Sequence, residues 1–472
     1  MNGVQYAGDF KIERAQLIAP SGSRTNLLTD VHIVEINIFE DIFKNSIVGS
    51  IIIADTKNVI TQLPIMGQEF LRLKVATPTL TLKRDIIDFS DTSFAIQRIT
   101  LRKEINIGGQ VYELDFISQE AIKNTQRKIS KSYTNAKGNV SKIVSDLLVE
   151  DDDGIKTSKD VFIEPTTGNR RYVIPNLNPF TAINILSEEA MSKVGQNDST
   201  PSPHYLFFEN KNGLNFRSLQ SLYNQEVSDA FHVGDKGFDE KVTGNDSESG
   251  KLIQNYKRVL AYEVKTNNDL VFDSMSGILG GRVISHDIFK KNYSVRNYNY
   301  FNDGDFGKHT RLDDASRLYN KDRFESKNFA NSLTLVVPTS KTSKDLDAQY
   351  VTKDKLNGQS DATRIDEIVL QRQQRILEYT GGLTIQMVIH GRTSITAGDL
   401  IHVFVPSLGD DEIDNELYTG IYLVTKLRHT FDVRVKQHEI TMEVARDGLP
   451  VDLPSFGSQY SDVQKTKRPI QV

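Results

Sequence analysis

The sequence predicts a mainly β protein with α+β insertions: two antiparallel β-barrel domains with smaller α+β domains between them. Three observations carry this. Apolar residues alternate with a period of two at both ends of the chain. The C-terminal strands follow one another over short connections, as in a meander that curls into a barrel. The N-terminal strands echo them in order and spacing.

The C-terminal barrel is the clearer of the two. Leu383, Ile385, Met387 and Ile389 alternate with Thr384, Gln386 and His390, which makes a strand with one buried face. A turn from Gly391 to Gly398 reverses the chain into a strand over Leu400–Val405, closed by Pro406, and an acidic loop from Gly409 to Glu416 follows. Gly420 opens the strand Ile421–Arg428. Ile440, Met442 and Val444 alternate in the last one.

In the N-terminal half, Val31, Ile33, Val34, Ile36 and Ile38 form a β pattern whose phase slips at Val34, as a bulge allows, and it runs into a turn at Glu40-Asp41-Ile42-Phe43. Strands over Ser46–Asp55 and Gly67–Val75 come next, and Gly108-Gly109 joins Ile96–Ile107 to Val111–Ser118 in a hairpin. At least five strands are therefore expected here. The echo is specific. Gly67-Gln68-Glu69 precedes a strand as Gly398-Asp399 does, Phe94–Ile99 matches Tyr422–Leu427, and Val111–Phe116 matches His438–Glu443.

Between the barrels, Val140, Ile143, Val144 and Leu147 mark one face of a helix, and Asn178-Pro179 caps a second that carries Phe180, Ile183 and Leu186. The Asn212-Gly213 turn joins Tyr205–Glu209 to Leu214–Arg217 in a hairpin. Val227–Ser249 reads as a connection, and Asp366–Tyr379 as a helix leading into the final barrel. The expected domains are 1–130, first barrel; 131–225, α+β; 226–365, connecting; 366–448, second barrel; and 449–472, an extended tail.

Composition narrows the function. With 57 basic and 62 acidic residues the net charge is −5, so no global basic excess advertises nucleic acid. The chain has no cysteine, which excludes thiol nucleophiles, disulfides and cysteine-based metal sites. Met1–Phe10 lacks the pattern of a signal peptide, and the most apolar run, Ile47–Ala54, is far below the ~20 residues of a spanning helix, so no membrane insertion is expected.

No catalytic signature is present, so a non-enzyme without cofactor or metal is expected. His390, His402, His429 and His438 all fall in the last barrel and could converge on a metal, but each also fits an ordinary strand position, which is the favoured reading. Glu150–Asp153 lacks the alternate spacing of a calcium loop. Gly277–Arg282 lacks the glycine order and the Lys-Ser/Thr of a phosphate cradle.

Several segments resemble the baseplate hub subunit of T-even-like contractile-tailed bacteriophages. They are Phe39–Asn45 with Gly49 and Asp55, Leu63–Glu69, Val111–Ser118, Lys128–Tyr133, Phe207–Leu219 and Gly398-Asp399. The resemblance implies two tail-tube-like barrels per chain and a homotrimeric ring with pseudo-sixfold symmetry, joining the hexameric tail tube to the trimeric central spike. The implied partners are tail tube protein, central spike protein and other baseplate proteins, with DNA or tape-measure protein as lumen contents. The implied location is the virion tail baseplate, assembled in the host cytoplasm. Outer edge strands should pair across subunits, and the tail residues Leu449, Leu453, Phe456 and Tyr460 are the expected partner contacts. Other readings are a receptor- or glycan-binding tail protein, which should expose aromatic clusters although this chain has no Trp; a cell-wall hydrolase; and the spike needle, which would need short glycine-rich repeats.

Overall fold

Seven strands build the first barrel: β1 (Lys11–Ile18), β2 (Arg24–Asn26), β3 (His32–Asp41), β4 (Val48–Asp55), β5 (Phe70–Ala76), β6 (Ile86–Asn106) and β7 (Gly109–Ser118). In the computed structural model, which describes residues 6–448 apart from 63–64, 79, 81–84, 107, 134–137, 169–171, 193–203, 235–253, 267–270, 272–274, 278–279, 288–291, 300–333, 340–381, 408–409 and 416–417, they lie in the order β3-β4-β7-β6-β5-β1-β2. Every neighbouring pair is antiparallel. Alternation sends Ile36, Ile38, Ile51, Ile53, Leu114 and Phe116 into one core. Two strands beyond the expected minimum, β1 and β2, precede Val31. Glu40 and Asp41, expected in a turn, are the end of β3. Gly49 is where β4 crosses the core most tightly, since a Cβ there would stand 2.3 Å from both the Asn37 carbonyl oxygen and the Phe116 ring.

The α+β unit contains β8 (Ile129–Tyr133), β9 (Val161–Ile163), β10 (Tyr172–Leu177), β11 (Tyr205–Asn210) and β12 (Gly213–Ser218), with helices Val140–Ser145 and Pro179–Glu189 packed over them. Both expected helices and the Asn-Gly hairpin form. Asn178 sits at the N-cap with Pro179 in the first turn, and its side-chain amide donates to the Asn124 and Arg127 carbonyls.

Next come β13 (Val227–Val233) and β14 (Arg258–Thr266), then a separate three-stranded sheet of β15 (Gly280–Asp287), β16 (Asn292–Asn299) and β17 (Thr334–Thr339). The chain ends in β18 (Leu383–His390), β19 (Leu400–Phe404), the short pair β20 (Pro406–Ser407) and β21 (Asp410–Asp414), β22 (Gly420–Asp432) and β23 (Gln437–Arg446). The second barrel runs β19-β13-β14-β18-β23-β22, and β19 also pairs with β22, so it is closed. The expected barrel at 366–448 is thus incomplete by itself, because β13 and β14 come from the stretch assigned to a connecting domain. Ser228, Asp229 and His232 hide β13 in the sequence, while Phe231 and Val233 reach the core. The helix expected over Asp366–Tyr379 lies outside the described residues.

The two barrels are copies of one plan. The order β3-β4-β7-β6-β5-β1 corresponds to β14-β18-β23-β22-β19-β13. The irregularities correspond too, which chance alternation does not explain. The register shifts between Ile33 and Glu35 opposite β4, and between Val259 and Ala261 opposite β18. It shifts between Ile96 and Arg98 opposite β7, and between Val424 and Lys426 opposite β23. Just past that bulge, Arg98 pairs with Asp115 in one barrel and Lys426 with Glu443 at 2.8 Å in the other. These matches correct the sequence alignment by one residue in the last strand: Phe116 corresponds to Val444, not Glu443, since Ile96 faces the first and Val424 the second. The barrels also differ. β1 is antiparallel to β5, whereas β13 is parallel to β19.

Candidate functional site at the seam between the barrels

The barrels are joined edge to edge within one sheet. The first part of β22, Gly420–Leu423, pairs with β19 and closes the second barrel; the second part, Lys426–Asp432, pairs antiparallel with β3, from Lys426 opposite Asp41 to Asp432 opposite Glu35. The bulge at Thr425 lets one strand change partners, since an extra residue kinks the strand and increases its twist. The edge that an open first barrel would expose on β3 is therefore filled by the chain itself.

Side chains fix the register. Asn37 Oδ1 accepts from Arg428 Nε at 3.0 Å, Arg428 Nη2 at 2.9 Å and Thr430 Oγ1 at 3.1 Å. Arg428 also stands 5.4 Å over the Phe39 ring and 3.6 Å from Glu35. Phe431, at the far end of β22, enters the core of the first barrel, its ring 5.2 Å from Phe10. Polar pairs on one face and an apolar plug on the other resist a slip of one residue, which would invert both.

Glu40 ties three units together. It is only 2% exposed, yet its carboxylate accepts from Thr396 Oγ1 at 2.5 Å and the Ala397 N–H at 2.8 Å in the second barrel, and from the Lys211 N–H at 3.1 Å in the α+β hairpin. Lys211 Nζ donates in turn to the Thr393 carbonyl, and Asn210 Nδ2 to the Ala397 carbonyl at 3.0 Å. Thr77 and Thr393 exchange N–H···Oγ1 bonds at 3.0 and 3.1 Å, another link between the barrels. Burial pushes the Glu40 carboxyl above its ordinary range, against the opposing pull of these donors and of Lys211.

A second buried cluster joins the α+β unit to the first barrel. Lys159 Nζ is 2.7 Å from Glu120 and also pairs with Glu209, which accepts from Ser118 Oγ at 3.0 Å and the Ile47 N–H at 3.1 Å. All three charged groups are out of water, so their mutual pairing is what makes their burial tolerable.

Of the four histidines, the structure brings two together. His429 and His438 face each other across the β22–β23 hairpin, Nδ1 to Nε2 at 3.0 Å, both fully buried. Gly391 lies flat on the His438 ring, where a Cβ would come within 2.1 Å. His402 instead packs on Phe404, which stacks on His232. Burial, reinforced by Lys211, holds His429 down to about 3, and burial with His429 beside it lowers His438 well below the ordinary imidazole range. Two neutral imidazoles sharing a hydrogen bond are a packing feature. Among the described residues no group of three or more His, Cys, Asp or Glu is placed to hold a metal ion.

The seam's outer side is an open cleft of about 240 Å³ lined by Phe39, Asp41, Lys426, Arg428 and Glu443 among others. Two of its cations are engaged, Lys426 with Glu443 and Arg428 with Asn37. The arrangement holds strands in place and presents no activated nucleophile. The residues expected to contact partners, Leu449, Leu453, Phe456 and Tyr460, lie outside the described residues. Sequence reasoning missed Glu40 and Lys211 as a pair, although both sit in segments it singled out: Phe39–Asn45 and the Asn-Gly hairpin.

No protein-family model matches the chain, and no curated protein does. Solved structures do. A tail protein from Neisseria meningitidis MC58 aligns with a TM-score of 0.51 at 11% identity, over 94% of this chain and 98% of that one. The 43 kDa tail protein of prophage MuSo2 from Shewanella oneidensis aligns with a TM-score of 0.50 at 8% identity, over 92% and 98%. The fold is therefore that of phage tail proteins. No helix among the described residues is long and apolar enough to cross a membrane.

Proposed function

We propose that this chain is the hub subunit of a phage tail baseplate, a structural protein of which three copies form a ring of six barrels. The ring joins the sixfold tail tube to the threefold central spike. The observation that carries this reading is the duplication: two barrels with the same strand order and with bulges at corresponding places in β3 and β14 and in β6 and β22 stand side by side in one chain, joined by β3 and β22. Three such chains give six nearly equivalent units on a threefold axis, the simplest match between the two symmetries. The hub-like segments and the tail-protein fold support it. Load then passes through strand pairing and buried keystones such as Glu40, with no reaction required. The tube protein, the spike protein and other baseplate proteins are the partners, DNA or tape-measure protein fills the lumen, and the C-terminal tail, with Leu449, Leu453, Phe456 and Tyr460, docks on the spike or a neighbouring subunit. Assembly takes place in the host cytoplasm and ends in the virion tail.

The test is co-assembly with tail tube protein. Three copies of this chain on the terminal six-subunit ring of the tube, capping tube ends in electron micrographs, is the expected outcome. A stable cap with any other number of copies contradicts it.

A further inference from the structure

Among the described residues the seam inside the chain has a counterpart that no strand fills, and we propose that a second copy of this chain fills it: Thr100–Ile105 of β6 in one copy pairs antiparallel with Ala261–Lys265 of β14 in the next. This rests on the proposed ring and specifies its register.

The argument is one of equivalence. β6 corresponds to β22 and β14 to β3, each with its bulge at the same place. β22 pairs with β19 as far as Leu423, passes its bulge, and then pairs with β3. β6 likewise pairs with β5 as far as Ala95 and passes its bulge, and its continuation then has no strand on that edge among the described residues. On β14, the edge away from β18 pairs with β13 only at Arg258 and Val259, and Leu260 onward is vacant among the described strands. Such open edges are templates for further pairing.

The two edges also look like halves of an interface. Leu101 and Ile105 on β6 are 69% and 59% exposed, and Leu260 and Tyr262 on β14 are 41% and 44% exposed. Large apolar groups left exposed along an unpaired strand edge point to burial by a partner.

The intrachain register predicts the one between chains. Arg428 lies opposite Phe39 and Thr430 opposite Asn37. Arg428 corresponds to Thr100 and Phe39 to Lys265, so these two meet. An extra shift in β6 between Thr100 and Lys103 makes Lys103 the counterpart of Thr430. Asn37 corresponds to Glu263. Lys103 therefore meets Glu263 across the seam, a cation opposite an anion, where the internal seam has Thr430 donating to Asn37. The contact is heterologous, head to tail, and a ring of six barrels closes when internal and intermolecular seams each turn about 60°.

The chain has no cysteine, so an introduced pair reports one contact without background. Directly opposed residues of an antiparallel pair have Cα atoms about 4.5–5.5 Å apart, within disulfide reach. Both positions are exposed in the single chain, and the full-length Lys103→Cys/Glu263→Cys protein should fold as the parent does. Oxidation should yield a covalent product that stops at three chains, while the out-of-register pair Lys103→Cys/Lys265→Cys should not. Lys103→Glu should weaken association several-fold, and adding Glu263→Lys should restore it. A trimer by mass that forms no disulfide at the first pair, or crosslinks both pairs equally, overturns the seam and leaves the ring standing. Absence of any trimer, both alone and with the spike protein, overturns both, and a ladder running beyond three chains overturns the closed ring.

Discussion

Glu69 and Asp399 hold the same post in the two barrels. The Glu69 carboxylate accepts the N–H groups of Met66, Gly67 and Gln68 at 2.8–3.0 Å, and its carbonyl takes the Ile96 N–H at 2.8 Å. The Asp399 carboxylate accepts the Thr396 N–H at 3.0 Å, and its carbonyl takes the Val424 N–H at 2.9 Å. Ile96 and Val424 are themselves counterparts. Each turn carries a glycine in the left-handed region, Gly67 at φ 90° and Gly398 at φ 95°, where other residues are strained. An acid that gathers loose N–H groups ahead of a strand gives each barrel the same starting brace, and its recurrence is the firmest sign of duplication.

Glu40 should be the most costly single polar residue at the internal seam. Glu40→Ala leaves the N–H groups of Ala397 and Lys211 and the Thr396 hydroxyl without their acceptor inside the protein. The expected loss is about 2–4 kcal/mol, read from urea denaturation, with Glu40→Gln milder because one acceptor remains. Equal stability of Glu40→Ala and the parent would show that the seam does not depend on this residue.

Lys159→Met should destabilise by roughly 3–5 kcal/mol, because it strands the buried carboxylates of Glu120 and Glu209 without their cation. Adding Glu209→Gln should recover part of that loss. If the double variant is as unstable as the sum of the singles, measured in the same denaturation series, the three groups do not act as a unit.

Gly49→Ala should be far more damaging than Gly22→Ala. The first forces a methyl against the Asn37 carbonyl and the Phe116 ring at 2.3 Å, whereas the second meets nothing within 4 Å. Overpacking of this kind costs about 1–3 kcal/mol or more, and Gly22, at φ 85°, carries only backbone strain. Thermal melting of both variants decides it.

Acid should weaken the fold through the histidine pair. His429 and His438 are held below the imidazole range in the folded chain, His429 to about 3, while unfolded they titrate near ~6.5. Stability is full above the unfolded value and falls as pH drops towards the folded one, because the unfolded chain then binds protons that the folded chain refuses. Each histidine contributes a slope of about 1.4 kcal/mol per pH unit in that window. The His429→Leu/His438→Leu variant should lose less stability than the parent between pH 6.5 and 4, whatever its stability at pH 7.5. Parallel curves would exclude the pair as the cause.

Much of the fold was legible because a half-buried strand writes its burial into alternating residues. Ile385, Met387 and Ile389 did so, as did Ile36 and Ile38, and even the bulge at Val34 showed as a slipped phase. β13 was not legible: a strand with Ser228 and Asp229 on it, set in glycine- and acid-rich surroundings, has the composition of a loop, and it becomes a strand only through its pairing with β19. The internal seam was equally hidden. Which strand β22 adopts beyond Thr425 depends on a tertiary partner, β3, nearly the whole chain away. Glu40 looked like a turn acid because its partners, Thr396, Ala397 and Lys211, are brought to it only by folding.

The central claim is that two copies of one barrel per chain make a threefold object with six lobes. The mass of the purified protein, measured by light scattering after size exclusion over a range of concentrations, alone and with the spike protein, tests it most directly. A particle of three chains under either condition is the predicted result. A monomer that never associates, alone or with tail proteins, would contradict the ring and leave only the duplicated fold.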